Sequence, residues 1–211
     1  APSPQPSASV APVKPLVLET EDFEFKANWL DESAMGESGE GFLKSAGSDL
    51  DALTVIEVPA AGTYDVWTRS YDFSDVAPAT RRYGVAVDGE LLPNESGQHR
   101  AQGWGWEQSG TVTLDAGRHV VALRDVTKHF ARTDMIVFAP PGFDPAKVPL
   151  KSLQQHRIKP VPAEGALSES ASAPRNAPSL EGAKEVAVLE SAAVRLAFLQ
   201  TADGSRLIRQ V

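Results

Sequence analysis

Residues 62–71 read Gly62-Thr63-Tyr64-Asp65-Val66-Trp67-Thr68-Arg69-Ser70-Tyr71, and this stretch decides the fold class. Tyr64, Val66 and Thr68 alternate with Asp65, Trp67 and Arg69. That is the two-residue period of a strand, not the 3.6-residue period of a helix. The same period extends outward. Upstream, residues 53–59 (LTVIEVP) form a β-branched run closed by Pro59, and residues 16–21 (LVLETE) alternate. Downstream, residues 83–92 (YGVAVDGELL) place an Asp88-Gly89 turn between two apolar runs, a hairpin signal. Residues 110–126 repeat it around Asp115-Ala116-Gly117, and residues 134–140 (DMIVFAP) close the set. These turn signals predict an all-β antiparallel β-sandwich of jelly-roll type over Leu16–Ala139. Tyr64, Val66, Val85, Val87, Val120, Ala122, Ile136 and Phe138 are expected to point inward.

The flanks differ in composition. Residues 1–15 hold five prolines among Ala, Ser and Val and read as an extended tether, in the style of a mature secreted chain. All 4 Trp, all 3 Tyr and seven of the 8 Phe lie in 16–143, which marks that segment as the packed domain. Residues 144–183, rich in Ala, Ser, Pro and Glu from Lys159 onward, read as a linker. Residues 184–211 read as two strands around Thr201-Ala202-Asp203-Gly204. A lone hairpin is marginal in water, so this one is expected to begin a further domain or to pair with a partner chain.

The 211-residue chain carries a formal charge of −8, which argues against nucleic acid as the main partner. No apolar run is long enough to span a membrane. The absence of Cys excludes a disulfide scaffold, thiolate zinc and a cysteine nucleophile. Nucleophile-elbow, zincin, dinucleotide and Walker signatures are missing, so no catalytic residue is assigned. Asn94-Glu95-Ser96 is a glycosylation sequon, and Arg81-Arg82 is an adjacent basic pair, either solvent-facing or suited to an acidic sugar.

Two sets of residues suggest binding. Glu19 and Glu21 stand two apart on the first strand, which turns both carboxylates to one face, where they repel unless a cation lies between them. Pairing of the first and last strands would bring Asp134 beside them, giving the hard oxygen ligands calcium prefers. The competing reading is a plain solvent face of an edge strand. Trp104 and Trp106, flanked by glycines, suit a loop that offers indole faces to a sugar; the competing reading buries one ring and exposes the other.

Four segments in order, LETEDF (18–23), PAAGTYDVWTRSY (59–71), LDAGRHVVALRD (114–125) and RTDMIVF (132–138), resemble the carbohydrate-binding modules of the calcium-containing galactose-binding-like superfamily, found on secreted polysaccharide-degrading proteins. The Gly-Trp-Gly-Trp-Glu segment and Phe130-Ala131-Arg132-x-Asp134 add to the likeness. The resemblance implies a structural calcium on Glu19, Glu21 and Asp134. It also implies a ligand site in the loops at one end, where Tyr71, Asp72, Phe73, Lys128, His129, Phe130 and Arg132 fall. The ligand-binding set is thus Tyr71, Asp72, Trp104, Trp106, Phe130 and Arg132. The expected function is non-catalytic carbohydrate binding by an extracellular or periplasmic module that targets an enzyme or partner to a glycan. The alternatives are an interaction domain that binds no sugar, and the N-terminal piece of a larger polysaccharide-active enzyme.

Overall fold

Each period-two segment becomes a strand. The computed structural model describes residues 14–47 and 49–162, and the backbone of three strands beyond them. The tether expected at 1–15 lies outside the described residues except for Lys14 and Pro15, as do 163–183 of the expected linker. Ten strands build two antiparallel sheets: β1 Leu16–Glu19, β2 Trp29–Glu32, β3 Phe42–Ser45, β4 Ala52–Val58, β5 Gly62–Asp72, β6 Tyr83–Val87, β7 Glu90–Leu91, β8 Gly103–Leu114, β9 Gly117–Asp125 and β10 Arg132–Ala139. The six-stranded sheet runs β2-β3-β10-β5-β8, with β1 also on β10, and the four-stranded sheet runs β4-β9-β6-β7. The protein is an antiparallel β-sandwich. Among the described residues no helix is long and apolar enough to cross a membrane.

The core between the sheets contains Leu18, Tyr64, Val66, Val85, Val87, Val121, Leu123, Ile136 and Phe138. Val120 and Ala122, expected there, lie instead on the outer face of the smaller sheet with Leu53, Val55 and Ala86, under Phe25 and Val161. Both faces of β9 are buried, so alternation alone does not distinguish its core side. A second correction concerns Asp115-Ala116-Gly117. Asp88 and Gly89, at φ 50° and 86°, do turn a hairpin between β6 and β7. The Asp115 segment joins no hairpin: β8 pairs with β5 in one sheet and β9 with β4 in the other, so the chain crosses between layers there.

Residues 144–162 are no linker. The Asp144 side chain caps a 3-10 turn at Pro145–Lys147, and a helical turn follows at Leu150–Leu153. Leu153 is fully buried on the outer face of the larger sheet with Val17, Met135, Val137 and Ala139, and Phe143, Val148 and Leu150 pack around it. Ile158 N–H donates to Val17 O, and Arg157 clamps Asp22 at 2.7 Å. The segment is a strap, held on the larger sheet by Val148, Leu150 and Leu153 next to Phe143, which are spaced too irregularly to show a period. In the tail, β11 Lys184–Glu190, β12 Arg195–Gln200 and β13 Arg206–Gln210 make a three-stranded antiparallel meander. The expected hairpin is β12–β13, and its long first strand is two strands, since Glu190 already pairs with Arg195.

Candidate functional site

The first and last strands pair antiparallel, with Glu19 opposite Met135. The strand ends at Glu19, and Thr20–Asp22 form a 3-10 turn, so Glu21 does not share a strand face with Glu19. The turn nevertheless brings both carboxylates under the loop that carries Gly39. A Cβ on Gly39 would lie 2.5 Å from Glu21 Oε1 and 3.4 Å from the Glu19 carboxyl carbon, and its φ of 62° favours glycine in any case. Glu21 Oε1 accepts from Glu40 N–H at 3.2 Å, with Arg157 Nη2 at 3.6 Å. The Ser38 hydroxyl lies 2.8 Å from Glu19 Oε2 and 2.9 Å from Asp134 Oδ2. Glu19 Oε1 and Glu21 Oε2 are buried with no partner. Burial raises the pKa of Glu19 and pushes Glu21 up to about 7.

Asp134 stands next to this pair rather than in it. A register shift between Thr133 and Met135 turns Asp134 toward the outer face, where it forms a buried ion pair with Arg69. It also accepts from Ser38 N–H at 3.0 Å. Burial pushes its pKa up to about 6 against the opposing pull of Arg69. Its oxygens are engaged, and among the described residues no three His, Asp or Glu side chains converge as a metal site. Glycine at position 39 lets the loop close over both carboxylates, and their two unpartnered oxygens are the groups here that could meet a hard cation.

Strand pairing builds the second feature. Tyr71 lies opposite Trp104 and Arg69 opposite Trp106 across β5 and β8, and directly opposed side chains share a face. Tyr71 and Trp104 meet edge to face at 5.1 Å, Phe73 tilts against Tyr71 at 4.8 Å, and Phe42 supports Trp104 at 5.2 Å. Trp104 Nε1 donates to Met35 O at 2.9 Å, which fixes the indole, and Arg69 lies 5.1 Å from its centroid. Arg132 and Arg81 both approach the Phe73 ring. Phe130, at φ 56°, is 49% exposed, and Arg132 Nη1 donates to its carbonyl. His129 Nδ1 is 3.2 Å from Thr80 Oγ1, joining the 126–131 and 73–81 loops.

Four of the six expected ligand residues, Tyr71, Trp104, Phe130 and Arg132, therefore belong to one loop-end surface. Trp106 packs one step away with Trp67 and Phe143 around Met135 and Leu153. Asp72 is fully buried, and its carboxylate accepts from the amides of Phe73 (2.8 Å), Ala79 (2.9 Å) and Arg100 (2.9 Å). It positions the loops from below and has no face toward a ligand. Arg69, Phe42, Ser38 and Gly39 were not singled out from the sequence. Arg69 was discoverable, because period two puts it on the face of Tyr71; Gly39 gave no signal outside its tertiary contacts.

No protein-family model matches the chain, and no curated protein matches it. Solved structures do. The GH26-CBM35 β-(1,4)-mannanase of Podospora anserina is 20% identical with a TM-score of 0.51, over 63% of this chain and 29% of that one. The chain thus spans under a third of the mannanase's length. A CBM35 from Paenibacillus barcinonensis is 19% identical with a TM-score of 0.49, covering 59% of this chain and 98% of that one. A family 35 carbohydrate binding module from Clostridium thermocellum is 18% identical with a TM-score of 0.48, covering 61% and 100%. At these identities the mannanase likeness bears on the fold, which agrees with the sandwich described above.

Proposed function

We propose that the protein is a non-catalytic carbohydrate-binding module whose loop-end surface of Tyr71, Phe73, Trp104, Phe130 and Arg132 takes the glycan. The carrying observation is that Trp104 and Tyr71 meet edge to face, both half-buried, with the indole N–H already committed to Met35 O. An aromatic ring fixed in this way can stack on the C–H face of a sugar at little entropic cost. Fold likeness to a mannanase that carries a CBM35 supports this reading by analogy. In such a role the module would act outside the cytoplasm, holding an enzyme or partner at a polysaccharide by raising its effective concentration. A glycan array probed with the chain tests this: binding to a defined polysaccharide class is expected, and an array without a single hit would refute it.

Calcium completes the proposal. Glu19 and Glu21 would hold it, with backbone carbonyls of the Glu37–Leu43 loop, and its role would be to tie the first strand to that loop. Without the ion, raised carboxylate pKa values mean that the folded chain binds more protons than the unfolded one between about pH 4.5 and 7. The contribution of these carboxylates to stability in chelator is therefore full below that window and is lost as pH rises through it. Added calcium neutralises both carboxylates and is expected to raise the melting temperature at pH 7 and flatten the slope. Melting curves at several pH values with EDTA or calcium check this; identical curves would remove the ion from the account.

A further inference from the structure

An exposed loop buries too little apolar surface to be fixed by packing, so polar contacts must fix it. The loop between β2 and β3 is such a case: of residues 33–40 only Ser38 is buried. The Glu37 carboxylate turns back on its own loop. Its Oε1 accepts from Ala34 N–H at 2.6 Å and its Oε2 from Met35 N–H at 2.7 Å. These bonds close a turn in which Ala34 stands at φ 70° and Gly36 at φ 76°. The left-handed region is unfavourable for Ala, so Ala34 stays there only because its surroundings hold it. The turn aims two carbonyls at β8 and β5. Met35 O accepts from Trp104 Nε1–H at 2.9 Å, and Gly36 O accepts from Arg69 Nη2 at 3.3 Å. On the far side of Glu37, Ser38 N–H donates to Asp134 at 3.0 Å, and Asp134 pairs with Arg69.

An indole has a single polar group, its N–H, and in Trp104 that group is committed to this loop. The ring otherwise meets Phe42 and Tyr71 edge to face, apolar contacts that direct it less sharply than a hydrogen bond does. The direction of the indole therefore depends on where Met35 O stands. That position depends in turn on the two amides that Glu37 gathers. We propose that Glu37 is a positioning residue for the glycan site: it holds the 33–37 turn so that Met35 O fixes the Trp104 indole for stacking. The proposal rests on the carbohydrate reading and adds to it a residue that acts through the loop, without touching the ligand.

A double-mutant cycle tests this, with the best array ligand titrated calorimetrically into the full chain in saturating calcium. Glu37→Ala is expected to weaken binding about fivefold, the worth of one ordering hydrogen bond. In a Trp104→Ala background the same change should cost nothing further. Glu37→Gln, which keeps an acceptor, should recover part of the loss. The Nε1–H resonance of Trp104, identified by its absence in Trp104→Phe, supplies a second readout. In Glu37→Ala it should shift and exchange faster with solvent. An unmoved resonance overturns the proposal, and so does a loss of affinity that persists in the Trp104→Ala background. Parent-like affinity in Glu37→Ala overturns it as well and leaves the carbohydrate reading standing. If no saccharide binds, the carbohydrate reading fails, and the resonance alone decides whether Glu37 positions the indole.

Discussion

Asp134→Ala is expected to cost about 3–5 kcal/mol of folding stability, the range for removing one partner of a buried ion pair. The substitution leaves the Arg69 guanidinium buried without its counter-charge and strips Ser38 N–H of its acceptor. It also frees the loop that carries Gly39 over Glu19 and Glu21. Urea denaturation measures the effect, and Asp134→Asn, which keeps an acceptor for Ser38, should lose less. An unchanged midpoint in Asp134→Ala would mean that water reaches Arg69 freely.

Asp72→Ala has the second largest expected effect. Its carboxylate gathers amides from Phe73, Ala79 and Arg100, and so binds the 73–79 loop to the chain entering β8. At about 1–3 kcal/mol for each donor left unsatisfied, with the exposed ones regaining water, a loss of about 3 kcal/mol is expected. The same loop carries Phe73 and leads into Arg81, so glycan affinity should fall together with stability although Asp72 touches no ligand. Loss of binding with an unaltered unfolding midpoint would instead make Asp72 a direct contact.

The strands were legible because their period is two and their turns carry Gly, Pro and Asp. Sheet membership was not. The Asp115-Ala116-Gly117 segment has local hairpin chemistry, yet β8 and β9 belong to different layers, which only their partners β5 and β4 decide. Val120 and Ala122 could not be told from Val121 and Leu123 because all four are buried. The strap hides for the opposite reason: Phe143, Val148, Leu150 and Leu153 follow no period and bury only because Val17, Met135 and Val137 present an apolar outer face. In the candidate site, pairing of the first and last strands correctly brought Asp134 near the glutamates. The shift in β10 that commits it to Arg69 leaves no mark in the residue pattern. Trp104 and Trp106 look equivalent in sequence; they separate because one meets the loop end and the other the strap.

That separation gives the most direct test of the central claim. The best ligand from the array is titrated calorimetrically into the parent chain, Trp104→Ala and Trp106→Ala, each first shown to be folded. A central aromatic anchor is worth about 2 kcal/mol or more, so Trp104→Ala is expected to weaken binding at least about tenfold. Trp106→Ala should bind nearly as the parent does while melting earlier, since its ring packs on the outer face around Met135 and Leu153. Parent-like affinity in Trp104→Ala would contradict the account and move the glycan site off the loop-end surface.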